Sequence, residues 1–359
     1  MQISVVHPRE LGPDDIAAWH SMQDAQGALG ALASPFLCPE FAVAVGRFRS
    51  GARVAVLADG PDIVGFFPHE RRRSGVGVPI GAGLTDCQGL VHAPGAEWDA
   101  RELLKACRLS VWHFDHLVEG QKAFAPYTAS VAPSPVIDLT GGFARYYENL
   151  RLRSPQFCKD ISRKTRKLER EVGALRFVVG SRDIAELRAL LAWKSEQYRR
   201  NGWLDVFERR WVADLVDFLF SMCSDRFGGL LSVLYAGDTP VAAHFGLRSG
   251  PLLAHWFPSY DMRFSRHSPG LIQHVRMAEE MAARGVQLID MGTGMQRYKQ
   301  TLRSHDLFVA EGMVPCGPIS ASAHRICGAV VGWMRGKVRN SPALFRAADQ
   351  ILQRLGRIG

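Results

Sequence analysis

The chain has 359 residues, 47% hydrophobic and 22% charged, which excludes global disorder and leaves room for two domains. Its 44 Lys and Arg against 35 Asp and Glu give a formal charge of +9. That excess admits nucleic acid, anionic lipid, nucleotide or acidic sugar as partner and does not choose among them.

No run of residues is long and apolar enough to predict a membrane-spanning helix. The start, Met1-Gln2-Ile3-Ser4-Val5, lacks the basic and apolar segments of a secretory signal. Seven scattered cysteines without a CxxC pair read as reduced thiols in the cytoplasm, with no zinc site.

In chain order, Pro13-Asp14-Asp15 opens a helix to about residue 26. Residues 53–59 and 63–70 are apolar runs joined by Gly60-Pro61-Asp62, a hairpin signal. Residues 76–84 read as a glycine-rich strand, and 98–109 as a helix with Glu97 and Asp99 at its positive end. A strand at 111–118 and an extended, proline-bearing segment at 126–138 follow. One long helical pattern covers 143–171, and between Arg151 and Arg170 it carries eight Lys or Arg against two acids. Next come a strand at 175–179, helices at 183–200 and 208–224, and an antiparallel meander at 230–235, 241–248 and 252–258. A helix opens at Pro269 and closes before Gly285. A strand at 286–291, a short helix at 296–302 and a strand at 307–314 complete the pattern.

The two halves repeat. Each has strand, Gly/Asp/Pro turn, strand, then a helix and a strand of form Val-x-x-x-Asp, Val111 to Asp115 and Val286 to Asp290. Self-similarity in this order predicts an internal duplication of a mixed α/β unit.

Two stretches carry candidate chemistry. The helix start after the meander, Arg263-Phe264-Ser265-Arg266-His267-Ser268-Pro269-Gly270, can hold pyrophosphate on unpaired N–H groups, with Arg263, Arg266 and Ser268 as further contacts. Gly270 would permit close backbone approach. The plain alternative is an ordinary capped helix. The second stretch runs from Asp290-Met291-Gly292 to Tyr298-Lys299. There Asp290 would orient a group or accept a proton, or else cap the next turn, and Tyr298 would protonate a leaving thiolate, or else pack. His244, on the middle strand of the meander, is either a general base or a buried structural histidine. His267 reads as exposed, and Trp256, Phe257 and Tyr260 as core or as a stacking platform. The basic 151–170 helix is a solvated connector or an anion-attracting surface.

The order of these pieces resembles the GNAT acyltransferase superfamily. It most resembles the branch associated with cellulose and exopolysaccharide biosynthesis, related to the Fem-type peptidoglycan transferases. The resemblance rests on Ser34-Pro35-Phe36 with Pro39, Leu84-Thr85-Asp86 with Gly89-Leu90, and Ser162-Arg163-Lys164. It continues in Tyr260-Asp261 with Ser268-Pro269-Gly270, Asp290-Met291-Gly292 and Tyr298-Lys299. The superfamily loop Gln/Arg-x-x-Gly-x-Gly/Ala is matched only at Gly270, with Ser265 and Ser268 in its earlier places.

The resemblance implies an α/β fold of two tandem GNAT-like units, each a mixed, mostly antiparallel sheet flanked by helices. Residues 1–145 would be a non-catalytic unit, 146–315 an acyl-CoA-binding unit with its connector helix at 146–172, and 316–359 a basic amphipathic tail. It implies transfer of an acetyl group from acetyl-CoA, without a metal, to an amino or hydroxyl group of a sugar-nucleotide or lipid-linked saccharide. Tyr298 would be the acid, Asp290 or His244 the base, and Lys299 a charge stabiliser. The expected location is the cytoplasm, with the tail packed on the body, lying on an anionic membrane surface or binding a regulatory nucleotide. Two alternatives stand beside this reading: an aminoacyl-tRNA-dependent transferase, and a non-catalytic regulator on the same scaffold.

Overall fold

The computed structural model describes residues 1–73, 75–294 and 296–317. The basic tail expected to meet a membrane lies outside these residues. The first half contains β1 (Gln2–Val6), α1 (Pro13–Ala25), α2 (Pro39–Phe48), β2 (Ala52–Asp59), β3 (Asp62–Arg71), β4 (Val76–Pro79), β5 (Val91–His92), α3 (Ala100–Ala106), β6 (Val111–Val118) and β7 (Thr128–Asp138). The second contains α4 (Gly142–Arg153), α5 (Pro155–Glu171), β8 (Leu175–Val179), α6 (Ile184–Arg200), α7 (Arg210–Ser221), β9 (Phe227–Ala236), β10 (Thr239–Ser249), β11 (Leu252–Tyr260), α8 (Pro269–Ala283), β12 (Leu288–Asp290), α9 (Arg297–Leu302) and β13 (His305–Pro315).

One sheet runs through the molecule in the order β1-β2-β3-β4-β6-β13-β7-β12-β11-β10-β9-β8, with β5 beside β3. The expected duplication is visible in it. Each half is an antiparallel run of strands closed by one parallel pair, β4 with β6 and β11 with β12. The final strands are exchanged. β7, from the first half, pairs with β12, and β13, from the second, pairs with β6, while β7 and β13 pair with each other.

The core also crosses between the halves. Trp19, Phe36, Phe41 and Phe66 belong to the same buried cluster as Leu187, Leu215, Phe245 and Trp256. Side chains of this kind contribute roughly 1.5–3 kcal/mol each on burial, which ties the halves into one body. Helices α6 and α7 pack on this side of the second-half strands. The opposite face is covered by α4, α5 and α8, through Tyr146, Leu150, Leu168, Ile272 and Met277.

The single long helix expected at 143–171 is two helices. Ser154, before Pro155, takes φ −141° and ψ 60° and ends α4. Proline disfavours a helical conformation in the residue before it and offers no N–H of its own. Strand β1 and helix α2 (Pro39–Phe48) had no counterpart in the sequence reading. Among the described residues, no helix is long and apolar enough to cross a membrane.

Candidate active site

β11 and β12 run in parallel only from Leu252–Leu288 to Ala254–Asp290. Beyond that point β11 continues beside β10 to Tyr260, while the segment after β12 turns away at Gly292, whose φ is +69°. The strands part, and a pocket of about 210 Å³ opens in the gap. Its charged lining residues are Asp86, Lys194 and Lys299, with Tyr198, His255 and Tyr298 beside them and Leu84, Trp256 and Phe257 as apolar wall. The indole of Trp256 donates to the carbonyl of Leu84 at 2.8 Å, which fastens the first-half loop to β11.

The corresponding gap in the first half is filled. Beyond the β4–β6 pair, Gln88 bridges to Leu117. The N–H of Gln88 donates to His116 and its carbonyl accepts from Val118, both at 2.9 Å. At the matching helix, α3, the Asp99 carboxylate caps the N–H groups of Arg101 and Glu102 and so occupies the place an anion would take. The filling loop carries Asp86 across into the second-half pocket.

Burial pushes the Asp86 carboxyl up to about 6, with Asp290 adding to the effect and His116 and Lys299 opposing it. Burial lowers Lys299, against the pull of Asp86 and Asp290. Its ammonium donates to the carbonyls of Gly292 and Thr293 at 3.1 and 2.7 Å, holding the turn after β12. For His116 burial alone would lower the imidazole. Asp115, Asp86 and Asp290 outweigh that and raise it. Burial raises the phenol of Tyr298 well above its usual value, so it stays protonated at neutral pH.

Of the residues singled out in the sequence, Tyr298 and Lys299 line the pocket. Neither candidate base does. The Asp290 carboxylate accepts from Ser134 at 2.8 Å and from the N–H of Gly292 at 2.9 Å, and takes a contact from Cys87 at 3.7 Å. That makes it the cap of the turn. His244 is fully buried behind His255, ring centroids 4.4 Å apart, and burial lowers it to about 3. Asp86 is the acid that sequence reasoning did not assign, although it is the one charged residue between Arg73 and Glu97.

The ring contacts continue edge-on from His255 to His274 at 4.7 Å and, stacked, from His274 to Tyr298 at 4.8 Å. His274 lies on α8 one turn beyond Gly270, so the pocket and the N-terminus of α8 are neighbours. At that N-terminus no side chain caps the helix, and Ser268 sits at φ 52°. The Ser268 hydroxyl accepts from Lys164 of α5 at 2.5 Å. The basic connector helix therefore borders the expected phosphate site. Arg263 and Arg266 are exposed and already paired, with Asp261 at 2.6 Å and Glu171 at 3.0 Å. Gly270 faces a ring: a Cβ there would stand 3.2 Å from Tyr260. His267, expected at the surface, is 1% exposed and lies 3.4 Å from Glu171. A cleft of about 530 Å³ follows α8 from this end, lined by Ser162, Arg166, Ile272, Val275 and Arg276.

Residues 155–300 match the family model described as the acetyltransferase (GNAT) domain. No curated protein matches the chain. Among solved structures it is similar to the C-terminal domain of a putative lysylphosphatidylglycerol synthetase from Agrobacterium fabrum, at 10% identity and TM-score 0.52 over 89% of this chain and 96% of that one. It is similar to a tandem GNAT protein from the clavulanic acid biosynthesis pathway, at 12% identity and TM-score 0.50 over 88% and 99%. It is also similar to FemX, at 9% identity and TM-score 0.55 over 87% and 96%. Likeness at such identities speaks for the fold alone, and fold alone does not fix a reaction. With the family match and the parted strands beside it, residues 155–300 are similar to the acetyltransferase (GNAT) domain, and the whole chain has a fold like that of a tandem GNAT protein.

Proposed function

We propose that the chain is an acyltransferase that moves an acyl group, acetyl in the simplest case, from acyl-CoA to an amino group held in the pocket between the halves. The observation that carries this is the juxtaposition of Asp86, Tyr298 and Lys299 in one pocket, a helical turn from the uncapped start of α8. The pyrophosphate would sit at Ser268–Gly270 with Lys164 as its cation, and the cleft beside α8 has room for the nucleotide end. The thioester would enter the gap between β11 and β12.

In the reaction the amine nitrogen bonds to the carbonyl carbon and the carbon–sulfur bond breaks. Asp86 takes the proton from the amine and Tyr298 gives one to the departing thiolate. Lys299, held against the turn carbonyls, offsets the negative charge on the tetrahedral oxygen. Asp290 and Gly292 set the turn that carries Lys299's partners. The acceptor is an amino sugar or sugar precursor, a hydroxyl being its alternative nucleophile, and the pathway is envelope or exopolysaccharide biosynthesis. This part is carried by the resemblance of the motifs.

The basic α5 beside α8 favours one second reading, an aminoacyl-tRNA donor in place of CoA. Calorimetry with acetyl-CoA on wild type and Lys164→Ala separates the two. Micromolar binding weakened about tenfold in the variant supports CoA. No CoA binding, together with salt-sensitive tRNA binding, overturns it.

A further inference from the structure

The charges lining the pocket do not balance. Lys194 and Lys299 stand against Asp86, which leaves one positive charge over. Lys299 is the cation coupled to Asp86 and Asp290. Lys194 is the one left without an acid. Its side chain projects from α6 and is 9% exposed. Its ammonium donates to the carbonyl of Pro258 at 3.1 Å and lies 5.2 Å from the ring centre of Tyr198. Among the described residues no carboxylate comes within 4.0 Å of it. A buried ammonium with one neutral acceptor is unfavourable until an anion joins it. Burial, with Lys299 adding repulsion, already lowers it to about 8.

Position says which reactant brings that anion. α6 packs on one face of the strands and α8, with its phosphate-binding end, on the other. Lys194 therefore reaches the pocket from the side away from the donor. One surplus charge matches a monoanion, a carboxylate, better than a phosphate dianion.

Resting on the reading of this pocket as the site of acyl transfer, we infer that the acceptor carries a carboxylate, that Lys194 pairs with it, and that the pairing turns the acceptor's amine towards Asp86. Lys194 is thus the residue that selects the acceptor class, an amino group and a carboxylate on one small scaffold.

The test uses the full chain with acetyl-CoA and three acceptors on one ring: glucosamine, 2-amino-2-deoxyglucuronic acid, and glucosamine 6-phosphate. Calorimetry with acetyl-CoA is run first. Absence of donor binding defeats the acyltransferase reading itself, whatever the acceptors do. With donor binding established, the expected result is a kcat/KM for the carboxylate acceptor at least tenfold above that for glucosamine or its phosphate. In Lys194→Met this preference should vanish, with KM for the carboxylate acceptor raised and its kcat lowered, and in Lys194→Arg most of it should return. The ligand-free Lys194→Met protein should melt no lower than wild type, because a buried unpaired charge has gone. Equal rates on glucosamine and its acid, a preference for the phosphate, no turnover of any of the three, or an undiminished preference in Lys194→Met would each overturn the inference. So would a preference tracking the acyl group, with succinyl-CoA favoured over acetyl-CoA and lost in Lys194→Met.

Discussion

Asp86 and Gly292, from opposite halves of the chain, meet so closely that a Cβ on Gly292 would stand 2.8 Å from the Asp86 carboxylate. The positive φ of Gly292 is what points the turn after β12 at that carboxylate. Gly292→Ala therefore adds strain of about 1–2 kcal/mol in the left-handed region and a collision with the proposed base. The expected result is a folded protein with a thermal midpoint a few degrees lower and turnover reduced at least tenfold. An alanine variant with wild-type turnover would show that the contact has no part in the reaction.

Asp86→Asn separates chemistry from stability through pH. Burial raises the folded-state carboxyl from 3.8 to about 6. The folded state thus binds the proton more tightly, and stability falls as pH rises from about 4 to about 6 and stays lower above. The asparagine variant lacks this loss. It should be more stable than wild type at pH 7.5 by on the order of 3 kcal/mol and similar near pH 3.5. Turnover should behave in the opposite sense. Wild-type rate climbs through about pH 6 as Asp86 ionises, while the variant is slow, with no such step. Denaturant titrations and rate profiles across pH 4–8 check both, and coincident stabilities at pH 7.5 would contradict the burial argument.

The fold was legible in the sequence where periodicity and turns coincide. The hairpin at Gly60-Pro61-Asp62, strand β6 and the Pro269 helix appear where the pattern puts them. The repeated Val-x-x-x-Asp strands mark the parallel pair of each half. The exchange of β7 and β13 was not legible, because strand composition does not name a partner, and each is an 11-residue strand of mixed polar and apolar residues with nothing to assign it to one sheet half. The same limit hid the site. Tyr298 and Lys299 stand in one motif, but Asp86 reaches them only through tertiary packing of a first-half loop. His244 and His255 are adjacent in the sheet, and only the β10–β11 register places His255 at the pocket and His244 behind it.

Tyr298→Phe tests the proposed acid. Its ring stacks on His274 at 25° from parallel, a contact phenylalanine preserves, so acetyl-CoA affinity and thermal midpoint should stay near wild type. Loss of a general acid costs roughly 10²–10⁴-fold in kcat. An acyl-CoA analogue whose leaving thiol is more acidic should recover part of that loss in the variant and gain little in wild type. Full activity of Tyr298→Phe with acetyl-CoA would return the residue to packing.

Gly270→Glu addresses the donor's phosphate end without touching the reacting groups. A glutamate in the first turn of α8 suits the helix dipole, so the helix itself tolerates it. It would, however, place a carboxylate where the pyrophosphate is proposed to lie, beside Lys164 and Ser268, and crowd Tyr260 at 3.2 Å. Acetyl-CoA affinity should fall at least a hundredfold, with the folded circular dichroism spectrum retained. Gly270→Ala, which adds the crowding without the charge, should lose less than tenfold. The ratio between the two variants therefore isolates electrostatics, and it should shrink as salt is raised towards 1 M, where screening acts within about 3 Å. Equal losses in the two variants at every salt concentration would mean that Gly270 matters for its fit against Tyr260 and that the phosphate lies elsewhere.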